Sequence, residues 1–262
     1  MTMRGSTVVY GALIAAAVGV VALVRTVLVP GLGMRTEGAM LAVAGLATAA
    51  VGLLLPAFQS RVQTATTRLD DFMPAWQFNE VHSARVAAPP ARVFDAVMQV
   101  RADEIFLFRA LTWIRRGGRR LPPGILKAGS VVPLLEVAVR GGFVVLAEEA
   151  PREIVIGMIV AAPAGPRPRV TAGLFQSPPP GFALGAVNFV VRPDGAKGSL
   201  VTTQTRVFAS NPGARRRFAA YWRVIYPGSA LIRRMWLRAI ARRATSCRNA
   251  GSEERAWIEK TP

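Results

Sequence analysis

The sequence predicts an α+β protein, an antiparallel sheet of seven strands with one face covered by a long C-terminal helix, preceded by a two-helix transmembrane hairpin. Three observations lead there. Two long apolar runs, 7–29 and 39–58, open the chain, the second without a single charge. From residue 76 the pattern changes to one β-rich run, two helical patterns, six more β-rich runs and a long amphipathic segment. A sheet of that extent must cover one face, and the C-terminal segment is the large apolar helix left to do so.

At about 1.5 Å per helical residue, each apolar run can cross a hydrocarbon layer of roughly 30 Å. Arg25 lies near one end, where its stem can snorkel to the interface. A cleaved signal peptide is the rival for the first run, but that run exceeds the usual length and a second span follows directly. Pro30, Gly31 and Gly33 suit a tight turn between antiparallel helices. Small residues recur along each helix, at Ala12, Ala15, Gly19 and Ala22 and at Gly38, Ala42, Gly45, Ala49 and Gly52. Such seams let backbones approach closely, although a chain this rich in Ala and Gly produces them by chance as well. Arg4, Arg61 and Arg68 flank the outer ends against Arg25, Arg35 and Glu37 at the turn, a slight preference for a cytoplasmic soluble domain.

Residues 59–75 read as a polar linker and 76–246 as the folded domain. A strand is expected over 77–87, ended by Pro89 and Pro90, and a helix over 90–100 with proline in its first turn. Asp103 is a plausible N-cap for a second helix over 103–116, which Gly117 and Gly118 would end. The runs 131–139, 143–149, 153–161, 170–177, 182–191 and 200–209 are rich in β-branched residues and separated by Gly, Pro or Asp, so all six read as strands. Asn211 and Pro212 then start the last helix. Phe218, Tyr221, Trp222 and Ile225 form one apolar stripe on it, and Leu231, Ile232, Met235, Trp236, Ala239 and Ile240 another. Pro227-Gly228 between them is expected to kink or break the helix, with Ser229 recapping it, while Arg234, Arg238 and Arg242 ride the opposite ridge. A flexible tail is expected over 247–262.

The opening FNEVHSARVAAPPARVFDAVMQV, followed by this element order, resembles the START-like or SRPBCC superfamily, the helix-grip fold. The stretch LVTTQTRVFASNPGARRRFAAYWRVIYPGSALIRRMWLRAIARRA is similar to a bacterial, membrane-anchored group within it, with Gln204 where glutamate would stand. The resemblance covers residues 76–244 and leaves the hairpin to hydropathy. It implies a cavity for a hydrophobic or lipid-like small molecule, used for binding or transfer. The alternatives it leaves open are an enzyme of the cyclase or hydrolase kind and a non-catalytic structural subunit of a membrane complex.

His82 is the chain's one histidine and the natural candidate for a general base, working with a nearby carboxylate. Glu80 and His82 share a strand face, as do Gln204 and Arg206. A buried arginine needs an anion, and Glu136 or Glu148 is the expected structural partner of Arg206. The ligand-binding candidates are His82, Arg109, Trp113, Glu136, Gln204, Arg206, Tyr221 and Trp222. No metal or cofactor is expected: Cys247 is the single cysteine, and no phosphate loop, dinucleotide fingerprint, HExxH or GxSxG occurs. The net charge of +18 is carried almost wholly by arginine. Beside two spans it is best explained by attraction to anionic membrane lipids, and no nucleic acid is expected as a partner. Nothing in the residues sets an oligomeric state.

Overall fold

The computed structural model describes residues 2–28, 35–115, 132–166 and 168–258. Helices α1 (Thr2–Leu28) and α2 (Arg35–Leu54) lie side by side. Their contact is made of small residues. A methyl group on Gly45 would fall 2.6 Å from the Ala16 amide nitrogen, and one on Gly19 would fall 2.5 Å from that of Ala42. Glycine at these two places is what lets the backbones touch. The expected seam of α2 is buried at every position from Gly38 to Gly52, whereas in α1 it runs through Ala12, Ala16 and Gly19, with Ala15 and Ala22 only partly covered. Large side chains point away: Ile14, Val18, Met40, Val43 and Leu46 are each more than half exposed. Among the described residues, Thr36–Leu53 is a helical stretch long and apolar enough to cross a membrane. Pro30, Gly31 and Gly33 lie outside the described residues.

The segment expected to be a linker is folded. Strand β1 (Ser60–Arg61) pairs with β2 (Ala75–Trp76), and α3 (Leu69–Phe72) lies between them in sequence. Leu69 and Met73 are buried against Val155, Leu184 and Ala186, so the segment straps itself onto a sheet face.

That sheet has five strands, β3 (Phe78–Val86), β4 (Val144–Glu149), β5 (Glu153–Ala161), β6 (Ala183–Asp194) and β7 (Gly198–Ala209). Their spatial order is β3-β7-β6-β5-β4, every pair antiparallel. Two of the seven expected strands are helices instead. The run 131–139 yields α6 (Leu134–Arg140), because Pro133 starts a helix and Leu134, Leu135 and Val137 then meet the core on one side. The run 170–177 holds the short α7 (Ala172–Gln176), whose Phe175 rests over Gly157. A methyl group on Gly157 would lie 2.4 Å from the Phe175 ring, so the missing side chain there makes the seat for α7.

Helix α4 (Pro90–Gln99) forms as expected. The next one does not start at Asp103: a 3₁₀ turn, Ala102–Glu104, is followed by Leu107 at φ 57°, and α5 begins only at Phe108 and runs to Arg115. A left-handed leucine cannot continue a right-handed helix, which explains the break. Gly117 and Gly118 lie outside the described residues.

Helix α8 (Pro212–Ile258) runs unbroken through Pro227 and past the expected domain end at Ser246. Proline withholds one amide donor and disturbs the preceding turn. Here the Tyr10 hydroxyl of α1 donates to the adjacent Val224 carbonyl. Apolar anchors on both sides of the proline, Phe218 and Trp222 before it and Ile232, Trp236 and Ile240 after it, hold the helix against its neighbours. Tertiary packing therefore overrides the local break signal. Arg234, Arg238 and Arg242 are exposed, as the helical wheel requires. The result is three layers, with α8 and α4 on one sheet face and α3 and α7 on the other.

Candidate functional site

The even-numbered residues of β3 point toward α8 and the odd-numbered ones toward the opposite face, as the strand period demands. Phe78 accordingly packs edge-on to Phe218, ring centroids 4.9 Å apart, in a cluster with Trp222. Further along the same face, Trp236 stacks obliquely on Phe189 at 5.0 Å and meets Phe108 at 6.5 Å. Between these two aromatic groups lies a buried polar cluster. The Glu80 carboxylate is 2.8 Å from His82 Nε2 and accepts a 2.9 Å bond from the Ser229 hydroxyl. The Glu80 side chain is 1% exposed and that of His82 11%. Burial, then the nearby Glu80 charge, raise the pKa of Tyr226, and Arg234 opposes them. This carboxylate is the partner expected for His82. The serine hydroxyl points to the carboxylate and not to the imidazole, so the trio lacks the order of a nucleophile relay.

Beyond Trp236, an open cleft of about 200 Å³ separates the sheet from α5 and α6. Phe108, Leu134, Val137, Ile156 and Val187 make it apolar, while Thr112 and Arg233 bring polar side chains. Arg233 also lies over the Trp236 ring, 5.4 Å from its centre. The Trp236 indole Nε1 is buried and makes no hydrogen bond among the described residues. A buried donor without a partner costs roughly 1–3 kcal/mol, and Trp222 Nε1 in the first aromatic cluster is left in the same state.

Arg109 and Trp113 lie on α5 but are turned outward, Trp113 being 52% exposed; their neighbours Phe108 and Thr112 face the cleft. Glu136 is on the solvent side of α6 in an i, i+4 pair with Arg140. Tyr221 is 38% exposed beside Phe218, and Trp222 is buried in the first aromatic cluster. Gln204 and Arg206 do share a face, but it is the one away from α8. The partner of Arg206 is neither Glu136 nor Glu148 but Asp70, at 2.7 Å, in an ion pair whose side chains are 7% and 2% exposed. Trp76 lies over the guanidinium at 4.1 Å, and Gln204 and the Met73 carbonyl accept its remaining bonds, the Nε excepted. Asp70 also accepts bonds from the Thr66 and Thr67 amides. Burial raises its pKa, but the Thr66, Arg206 and Thr67 bonds and the Arg206 charge outweigh it, so the carboxyl is held below its ordinary range. Next to this pair, Glu153 takes the Arg68 and Leu69 amides and Asn188 Nδ2, and Asn188 Oδ1 accepts the Gln204 amide. The outer face thus carries a structural network that fastens α3.

Sequence reasoning missed Asp70, Ser229, Arg233 and the role of Trp236. The Thr-Thr-x-x-Asp spacing at 66–70 was the available signal for the first, since such residues close turns onto their own amides.

No family model matches the chain, and no curated protein does. Among solved structures, the crystal structure of TTHA0849 from Thermus thermophilus is similar at 11% identity with a TM-score of 0.30, over 64% of this chain and 98% of that one.

Proposed function

We propose that this is a membrane-anchored binding or transfer module of the helix-grip, SRPBCC or START-like kind, holding one hydrophobic or lipid-like small molecule between its sheet and α8. The observation that carries the reading is the apolar cleft beside Trp236, with Thr112 and Arg233 as its polar lining. At about 200 Å³ it is smaller than the roughly 300–1,000 Å³ of clefts that enclose drug-sized molecules. The ligand therefore places one ring or a short hydrocarbon segment inside and the remainder outside. Displacement of a fluorescent fatty-acid or isoprenoid probe tests this with the full chain in detergent. Ala138→Phe, which fills the cleft from α6, should weaken probe binding at least tenfold, and equal binding by the variant and the parent chain would sink the proposal.

The anchoring part of the proposal takes α1 and α2 as two spans with the folded domain on the cytoplasmic side. Its support is the inside-out hairpin, small residues within and large apolar ones outside, which suits a hydrocarbon solvent and not water. Resistance to alkaline carbonate extraction is expected. Cys247 should react with an impermeant maleimide only after the membrane is opened.

The 2.8 Å contact between Glu80 and His82 favours a second reading, an enzyme of the cyclase or hydrolase kind in which the carboxylate orients the imidazole. Neither residue lines the cleft. Unchanged turnover of an identified ligand in His82→Ala would exclude it, whereas binding without any chemistry in the parent chain supports the module.

A further inference from the structure

A second groove, of about 570 Å³, opens where the hairpin meets the start of α8. Ala50, Leu53 and Leu55 lie on one side and Ala219 and Ala220 of α8 on another, and Arg215 and Arg216 are the charged residues of the lining. Both arginines are at least partly exposed, and neither has an ion pair among the described residues. No acidic residue occurs between Pro212 and Gly251, so the helix offers them no neutralising neighbour. Their height is fixed by Arg223, two turns further on, which is buried and donates to the Leu53 and Leu55 carbonyls at the end of α2. That clamp ties α8 to the level at which the charge-free apolar run gives way to Gln59.

We propose that this groove binds one anionic phospholipid, its phosphate held by Arg215 and Arg216 and the upper part of an acyl chain laid against Ala50 and Leu53. The inference rests on the membrane-anchored reading above. Free phosphate would satisfy the arginines but leave the apolar wall in water, and a zwitterionic lipid would bring its own cation beside them. An anionic lipid matches both halves of the groove.

The test uses the full chain in micelles equilibrated with equal amounts of phosphatidylglycerol and phosphatidylcholine, then native mass spectrometry. Phosphatidylglycerol should be retained in preference. The double variant Arg215→Gln/Arg216→Gln should lower that retention roughly 30-fold, as the loss of two basic side chains at an anionic headgroup implies. Arg192→Gln, at the opposite end of the β6–β7 ladder, should leave it unchanged. Ala220→Leu keeps both charges and narrows the groove, and it too should reduce retention, while both variants keep the thermal midpoint of the parent chain, which separates lost binding from lost folding. Equal retention of the two lipids, no effect of the double variant, or displacement of the lipid by inorganic phosphate overturns the proposal. Carbonate-resistant protein without the lipid preference overturns the groove alone, whereas protein released by carbonate overturns the anchoring as well.

Discussion

Removing one partner of the Asp70–Arg206 pair strands a charge beneath Trp76, away from water. Breaking such a buried pair typically costs about 3–5 kcal/mol, so Asp70→Asn should lower the thermal midpoint of the detergent-solubilised protein by several degrees. The same residue sets an acid response. Because its folded pKa is lowered, the unfolded chain binds the proton more readily. The stabilisation is therefore fully present above the ordinary carboxylate range, near pH 4, and is lost as the pH falls through that range toward the folded value. Midpoints measured from pH 7 to pH 3 should fall less steeply in Asp70→Asn than in the parent chain. An identical slope in both would show that Asp70 is not held ionised. At this scale the sequence showed that Arg206 needs an anion and that His82 has Glu80 beside it. It did not show that Asp70, far away in the chain, supplies the anion, because pairing across a sheet depends on how the segment before β3 returns over it.

Among the elements, the hairpin is the one whose packing makes the sharpest demand on sequence. Gly45 has backbone atoms of α1 closer than a side chain tolerates, while Gly11 on the outer surface has nothing within 4 Å. Gly45→Leu should separate the two helices and lower the thermal midpoint markedly, and Gly11→Leu should be tolerated. Equal effects from the two would mean that the helices do not pack through this seam. Helix α8 makes a different point. Its proline reads locally as a break, yet Trp222 and Trp236 lie on either side of it in two separate clusters and the helix continues. All five strands of the sheet, β3 to β7, were legible, β3 from its alternation and the others as β-rich runs bounded by turn residues. The helices α6 and α7 were not, since short apolar runs carry no period long enough to separate helix from strand, and only their packing partners decide.

For the whole molecule, α8 is the common support. Its first turns meet the hairpin, with Arg223 on the end of α2 and Tyr10 on its backbone, and its later turns cover the sheet and border the Trp236 cleft. The distance from Ala219 to Trp236 along the helix is about 25 Å, so the Arg215–Arg216 groove and the cleft are separate places on one continuous helix. This two-site arrangement was only half legible: the two-sided character of α8 could be read from its stripes of aromatics and arginines. The cleft's own wall could not, because Arg109 and Trp113 are one position out of phase with Phe108 and Thr112, an offset that depends on where α5 starts after Leu107.

The most direct test of the central claim is native mass spectrometry of the full chain purified in mild detergent, followed by organic extraction of whatever it carries. The account predicts a one-to-one adduct of an apolar or amphipathic molecule that survives in Arg215→Gln/Arg216→Gln and is lost in Ala138→Phe. A bare protein mass in the parent chain, or an adduct that persists unchanged both in Arg215→Gln/Arg216→Gln and in Ala138→Phe, would contradict it.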